Sequence, residues 1–428
     1  MEKLLEMAFK VSDQAEVFSI ENQSSSVIFQ NAKLNKLKSD LSAGIALRII
    51  KDGKLGFAYT RNLNNREELI ENALQTLKSK VAAEFQLPSF QKLPDIKTFD
   101  ASIDKVSNTK MVEECSRLNE NWREKTHAEF YSLVWKHTYR IRLLNNKGID
   151  YKLKTSEYGS WGSLVFPGGA SGISRYIESK SFIPFTKSSS DEMIMLFNFG
   201  EKIVKPKSGK MKVLFMPRSL DTLIRRVTVG TNAKSIYENS SPISDKIGQK
   251  IFSNKLTLYT DPLNNNYSGA TAFDNEGVPT SKLIVVENGI LKNFYNDLHY
   301  AQKLGVNPTG HGYRNDYFGK PIPNAEHLTL SPGDASFEEM IKMIDSGIIL
   351  EGAMGAHSGN IPNGDYSVGV NPGLYVENGE IIGRVKDAMI SGNSYETMKH
   401  VLAVENKPHN IGSRIPAVLF DNVSFSAK

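Results

Sequence analysis

Apolar positions along the chain follow two rhythms, one helical and one alternating, and the places where they change mark the elements. Leu4, Leu5, Ala8 and Phe9 share one face at helical spacing, so a helix is predicted over residues 1–13. Strand-like runs follow, A-E-V-F-S-I-E at 15–21 and S-S-V-I-F-Q-N at 25–31. G-I-A-L-R-I-I and L-G-F-A-Y-T then flank Lys51-Asp52-Gly53-Lys54. Asp-Gly between two apolar runs predicts a hairpin, because its turn needs positive φ. The next helix starts near Asn65, with Glu67 and Glu68 complementing the dipole in its first turn. Residues 86–107 are proline-dotted and aperiodic, a connector. Met111, Cys115, Leu118 and Trp122 recur at helical spacing within a helix over about 109–123, which makes Cys115 a packed core thiol rather than a nucleophile.

Residues 129–183 read as antiparallel strands with turns at Asn146-Lys147-Gly148 and Pro167-Gly168-Gly169. The G-G-A-S-G run at 168–172 lacks the G-K-[ST] ending of a phosphate loop and is read as a hairpin end. Ser188 to Asp191 are expected to cap a helix carrying Met193, Leu196 and Phe197. The basic run K-P-K-S-G-K at 205–210 is a domain boundary. Beyond it lie a strand, a helix from Ser219 to about Val229, and the hairpin L-I-V-V-E-N-G-I-L-K-N-F. A helix from Asp297 to Leu304 stops at Gly305, and Ser336 with Glu339 form a capping box. A last helix follows Asn393, and A-V-L-F-D-N-V-S-F-S is a terminal strand.

The pattern divides the chain into an N-terminal α+β domain (1–107), a middle α+β segment (108–208) and a β-rich C-terminal domain (209–428). The fold class is α+β: a mixed helix and antiparallel-sheet region first, then a glycine-rich, β-barrel-like domain. Its densest stretch runs from Gly347 to Arg384, with glycines at 347, 352, 355, 359, 364, 369, 373, 379 and 383. Such spacing suits closely packed strands and tight turns. Among these glycines sit His357, Ser358, Asp365 and Ser367, the densest polar cluster of the chain. The stretch is read as the wall of a groove that a partner backbone approaches.

Composition narrows the function. The 428 residues are 40% hydrophobic, enough for two or three domains. Net charge is +5, but the basic residues are dispersed, which argues against direct nucleic-acid contact. The acidic, amphipathic N-terminus is unlike a signal peptide, and no apolar run approaches a membrane span of roughly 18 residues. Cys115 is the one cysteine, so neither internal disulfides nor a thiolate cluster forms, and the cytoplasm is expected. The histidines at 127, 137, 299, 311, 327, 357, 400 and 409 include no pair one helical turn apart. No helical zinc motif, nucleophile elbow, Walker loop or dinucleotide fingerprint is present.

Several segments nevertheless occur together in a specific order: G-I-A-L-R-I-I-K-D-G-K-L-G-F-A-Y-T, S-P-I-S-D-K-I-G-Q-K-I, F-D-N-E-G-V-P-T, I-V-V-E-N-G-I-L-K-N-F, H-S-G-N-I-P-N-G-D-Y-S-V-G-V-N-P-G and Y-V-E-N-G-E-I-I. Over nearly its full length the chain resembles the TldD/PmbA family. TldD members of that family are zinc metallopeptidases with a His-Glu-x-x-x-His motif on the helix after the first strand of the third region, plus a C-terminal Cys ligand. PmbA-type (TldE) members pair with TldD and lack the motif. Here the corresponding place, near Ile224 to Val229, reads I-R-R-V-T-V, and the C-terminal tail has no cysteine. Two adjacent arginines would repel Zn²⁺.

The resemblance implies a PmbA/TldE-like subunit of a TldD-type metallopeptidase complex that degrades or processes unfolded peptides. No catalytic residue, metal ligand or cofactor is expected in this chain, the zinc belonging to a TldD-type partner. That partner would form a heterodimer, or the chain would pair with itself; neither nucleic acid nor membrane is expected to bind. The peptide-groove candidates are His357, Ser358, Asn360, Asp365 and Ser367, with turn formation as their alternative role. Two other functions stay open: a stand-alone metallopeptidase using scattered residues such as His357, His311 and Asp365, and a protein-binding modulator of DNA gyrase, as an older family name suggests.

Overall fold

The computed structural model describes residues 1–62, 64–315 and 319–427. It is a mixed α+β fold, 23% helix and 39% strand, with a curled half-barrel sheet. The N-terminal helix α1 (Glu2–Phe9) is followed by β1 (Gln14–Gln30), β2 (Lys33–Lys51) and β3 (Lys54–Thr60). The two strand-like runs before residue 31 are thus one strand. Its polar middle, E-N-Q-S-S-S, hides that continuity from any alternation test, but backbone pairing with β2 and later β4 carries it through. Lys51 pairs with Lys54 across the Asp52-Gly53 turn, both residues at positive φ, as the dipeptide predicts.

Helix α2 (Arg66–Thr76) starts where Asn65 accepts from the Glu68 backbone N–H, and α3 (Asn108–Lys125) buries Met111, Cys115, Leu118 and Trp122. Strands β4 (Glu129–Asn145), β5 (Asp150–Val165) and β6 (Gly172–Ser179) complete a six-stranded antiparallel sheet in the order β3-β2-β1-β4-β5-β6. That sheet takes three strands from before residue 107 and three from after it. Helix α4 (Lys187–Glu201) is capped by Thr186, whose hydroxyl accepts from the Ser189 N–H, rather than by Ser188–Asp191, which lie inside its first turns.

The remainder opens with β7 (Ile203–Val204), β8 (Gly209–Phe215), α5 (Pro217–Gly230), α6 (Ala233–Tyr237) and β9 (Leu258–Thr260). Then come β10 (Leu283–Glu287), β11 (Ile290–Leu291), α7 (Leu298–Leu304), β12 (Gly312–Tyr313), β13 (Ile322–Pro323), β14 (Leu328–Leu330) and α8 (Phe337–Lys342). The chain ends with β15 (Ser346–Leu350), β16 (Ala353–Met354), β17 (Asp365–Val370), β18 (Gly373–Glu377), β19 (Glu380–Val385), β20 (Ala388–Asn393), α9 (Ser394–Thr397), β21 (Val401–Val404) and β22 (Val418–Ala427). A large mixed sheet runs β16-β17-β20-β22-β8-β15-β18-β19-β7, with β21 beside β22.

Its central strands are buried on both faces. Val213, Phe215, Ile348 and Leu350 pack with Leu220, Leu223, Ile224 and Val227 of α5. Leu214, Ile349, Leu374 and Leu419 on the other face pack with Met193, Leu196 and Phe197 of α4. Helices on both faces explain why M-K-V-L-F-M and G-I-I-L read as continuous apolar runs. Gly347 and Gly352 lie where an added Cβ would come within 2.3 Å of the Lys212 carbonyl oxygen and 2.2 Å of the Asn371 carbonyl oxygen, so only glycine fits. The capping box at Ser336 and Glu339 is formed, and its helix ends at Lys342. No helix of the described residues is long and apolar enough to cross a membrane.

Candidate functional site

Helix α5 positions the residues that matter most. Pro217 sits in its first turn, where a missing N–H costs nothing, and its apolar stripe turns toward the sheet. Arg226 shares the inward side and is fully buried. Its guanidinium donates to four backbone carbonyls: Thr222 at 2.7 Å and Ala356 at 3.1 Å from Nη1, Ser358 at 2.9 Å from Nη2, and Asp365 at 2.7 Å from Nε. Desolvation, and then the neighbouring Arg225, lower its pKa from the usual guanidinium value. Carbonyl dipoles, rather than a paired carboxylate, offset the burial of its charge.

The consequence is a fixed loop. Residues 355–364 join β16 to β17, and Arg226 ties two of their carbonyls to the first residue of β17. Tyr395 closes the other side, its hydroxyl donating to the carbonyls of Arg226 at 3.2 Å and Pro362 at 3.3 Å. Gly364, at φ +90°, is buried against that ring; a Cβ there would lie 2.5 Å from Tyr395 Cδ2. Substitution of Gly364 would therefore disrupt packing beneath the loop rather than obstruct a channel.

All five groove candidates are exposed on this loop and strand. Alternation along β17 buries Tyr366, Val368 and Val370 in the core and turns Asp365 and Ser367 to solvent. Ser358 donates its hydroxyl to the Gly355 carbonyl at 2.6 Å, the Asn360 amide oxygen accepts from the Asn363 N–H at 3.4 Å, and Asp365 accepts from the Asn393 side chain at 2.9 Å. Ser358 and Asn360 thus close local turns. The neighbouring cavity, about 480 Å³, is lined by Met354, Gly369, Val370, Arg384, Lys386 and the turn after Phe166, and by none of the five. A larger cavity of about 710 Å³ lies on the N-terminal sheet beside α1 and α2, lined by Ser19, Gly44, Asn65, Arg66 and Lys152 among others. No local motif marks it, since its walls come from seven separate elements.

Two buried ionic clusters also escaped the sequence. Arg48 reaches Glu16 at 2.7 Å and Glu276 at 2.5 Å, and so joins the first sheet to the F-D-N-E-G-V-P turn. Asp274 shapes that turn by accepting from the N–H groups of Glu276, Val278 and Gly312. Desolvation, then the charge of Glu276, pushes Asp274 well above the usual carboxylate range. In the second cluster Arg175 makes two hydrogen bonds to Glu351, at 2.7 and 3.0 Å, and two to Glu192, at 2.6 and 2.8 Å. His409 bridges Glu192 at 2.7 Å and Glu405 at 2.9 Å. Burial and Arg175 oppose a charge on His409, but the two carboxylates prevail and raise it to about 9. Glu192, despite burial, is drawn down to about 2 by Arg175 and His409. Glu16, Arg48 and Arg175 lie in strands and Glu192 in a helix, where a charged residue among apolar neighbours was the available signal; Asp274, Glu276, Glu351, Glu405 and His409 lie in connecting segments that carry no such signal.

Neither the loop nor α5 offers a metal a suitable donor set. A guanidinium has no lone pair to give and repels a cation, and the I-R-R-V-T-V run supplies no imidazole, carboxylate or thiolate. The set His357, His311 and Asp365 is not assembled. His311 is buried beside Thr260 and Thr309, at 2.8 Å from each, and desolvation lowers it to about 4. Among the described residues no three His, Cys, Asp or Glu side chains form a group that could hold a metal ion.

Comparison with known proteins matches residues 208–427 to the PmbA/TldA metallopeptidase C-terminal domain and residues 15–77 to the PmbA/TldA metallopeptidase domain 1. A metalloprotease of Methanothermobacter thermautotrophicus is 25% identical over 91% of this chain and 87% of its own. A PmbA-homologue metalloprotease of Haemophilus influenzae is 28% identical over 52% of this chain and 47% of its own. In fold, the chain is similar to TldE from Thermococcus kodakarensis, with a TM-score of 0.88 and 23% identity across 100% of both chains. It is also similar to a Thermotoga maritima protein described as a candidate modulator of a DNA gyrase, with a TM-score of 0.83 and 24% identity over 99% of this chain and 100% of that one.

Proposed function

The chain belongs to the PmbA/TldD family of metallopeptidase homologues, and from that premise we infer that it is the PmbA/TldE-like subunit of a TldD-type peptidase complex. In this reading it holds an unfolded peptide in the cytoplasm while a TldD-type paralogue carries the zinc. The observation that carries the reading is Arg226. At the place on α5 where the catalytic members hold their metal motif, this chain has a guanidinium whose donors are engaged by four carbonyls.

The same clamp supports a peptide-binding role for the surface above it. Strand β16 pairs only with Gly369 and Val370 of β17. The edge of β17 over residues 365–368 on that side has no strand partner among the described residues. An extended peptide added there would gain main-chain hydrogen bonds, with Asp365 and Ser367 beside it and His357, Ser358 and Asn360 on the adjoining loop. The close-packed glycines at 347, 352 and 373 let the supporting strands and the turn after β15 approach one another.

The test is peptide cleavage by the chain alone, by a paralogue carrying His-Glu-x-x-x-His, and by the reconstituted pair, with assembly checked by sedimentation. Cleavage is expected from the pair and not from this chain alone, and Ser367→Arg is expected to slow it without releasing the partner. Cleavage of unfolded peptide by the purified chain alone would overturn the subunit reading.

A further inference from the structure

A smaller cavity, about 220 Å³, lies between the N-terminal sheet and three turns of the C-terminal half. Its floor is a cross-strand row, Ile20 opposite Ile141 and Ile141 opposite Leu153, on the face of the sheet where Phe18 packs with Phe273. The facing wall holds Asn275 from F-D-N-E-G-V-P, Tyr313 and Arg314 from G-H-G-Y-R, and His327. Hydrogen bonds fix the first two turns to each other: the Gly312 N–H donates to the Asp274 carboxylate at 2.9 Å, and the Arg314 N–H to the Asn275 amide oxygen at 3.0 Å. The exposed residues Gly269 and Glu326 mark the mouth.

Two polar groups on that wall are left over. Tyr313 and His327 are only 3% and 7% exposed, yet among the described residues neither the Tyr313 hydroxyl nor Nε2 of His327 has a hydrogen-bond partner. Their rings meet edge to face, with centroids 5.7 Å apart. Buried polar groups are normally paired, and each exception calls for a reason. Desolvation keeps both side chains neutral, holding Tyr313 well above the usual phenol range and His327 down at about 3. The charge of Arg314 is already engaged, by Glu16 at 3.5 Å and the Gly319 carbonyl at 2.5 Å. Water suits the space poorly, because a bound water needs two to four polar partners and the floor supplies none.

We propose that this cavity binds a small uncharged aromatic molecule, one or two rings in size, whose face lies on the row Ile20, Ile141 and Leu153 and whose polar edge bonds to Tyr313 and His327. Apolar walls with a few placed polar groups, at a junction between two parts of a fold, are the usual make-up of a small-molecule site. An apolar cavity of about 150 Å³ already holds benzene, so this one has room for a second ring. A tyrosine hydroxyl both donates and accepts, and Nε2 of a neutral imidazole does one or the other, so the matching edge carries a donor beside an acceptor. The site does not depend on the peptidase reading, since neither α5 nor any of the five groove candidates lines it.

The test titrates two probes of one shape into the full chain by calorimetry. Benzimidazole presents a ring N–H and a ring nitrogen; indene presents neither. Benzimidazole is expected to bind about tenfold more tightly than indene or better. Tyr313→Phe is expected to weaken benzimidazole by about tenfold and leave indene unchanged, and to melt no lower than the wild type because it deletes an unpaired hydroxyl. Leu153→Trp fills the floor and is expected to abolish binding of both; if that variant unfolds, Tyr313→Phe decides the matter alone. A wild type that binds neither probe, or binds both equally, would overturn the proposal. So would benzimidazole binding that ignores Tyr313→Phe or survives in folded Leu153→Trp.

Discussion

Two seams of this molecule each bury an arginine, and they satisfy it in opposite ways. Between β6, α4 and the residue after β15, Arg175 is held by the carboxylates of Glu351 and Glu192, with His409 extending the chain of charges to Glu405. Beneath the loop 355–364, Arg226 is held by backbone carbonyls. The first arrangement locks side chains from distant segments and depends on their ionisation. The second fixes the course of a loop and depends on no titrating partner. On α5 a guanidinium thus keeps the loop above it ordered through backbone carbonyls alone.

The largest expected effect breaks the carboxylate seam. Arg175→Leu leaves Glu351 and Glu192 buried without their counter-charge, and denaturant unfolding should show a loss of about 3–5 kcal/mol. Next comes pH. His409 is raised from 6.5 to about 9 in the folded protein, so the stability it contributes is fully present below pH 6.5 and is lost as pH rises through 9. The loss amounts to about 3 kcal/mol, and His409→Gln should flatten the dependence in that window. The carbonyl seam should show no such slope. Arg226→Leu is expected to cost about 2 kcal/mol, since water can reach some of the released carbonyls. Its signature is local: amide exchange should quicken across residues 355–365 while the central strands stay protected. The smallest effect is Asp365→Ala, which removes one exposed hydrogen bond to Asn393 and should cost about 0.5–1 kcal/mol or less.

Local chemistry was legible in the sequence and distant pairing was not. The Asp52-Gly53 turn, the helix start near Asn65, the Ser336 and Glu339 box and the Cys115 stripe each depend on neighbours within a few residues, and each formed where the pattern put it. The cap of α4 was missed because Thr186, Ser188, Ser189 and Ser190 offer several hydroxyls in succession. Asp365 and Ser367 were singled out as part of a polar cluster among glycines, and β17 turns both to solvent, but the cavity beside them is walled by Phe166 and Arg384, far away in sequence. Two adjacent arginines in I-R-R-V-T-V were the ground for expecting no zinc at this place. That one of them reaches carbonyls more than a hundred residues further along could only come from the fold.

The most direct measurement is the zinc content of the purified chain, by elemental analysis after mild dialysis, for the wild type and for Arg226→Leu. If a carbonyl-bound guanidinium stands where relatives hold a metal, neither protein carries stoichiometric zinc, and the loop of the variant loosens without gaining any. Stoichiometric zinc retained by the wild-type chain would contradict it.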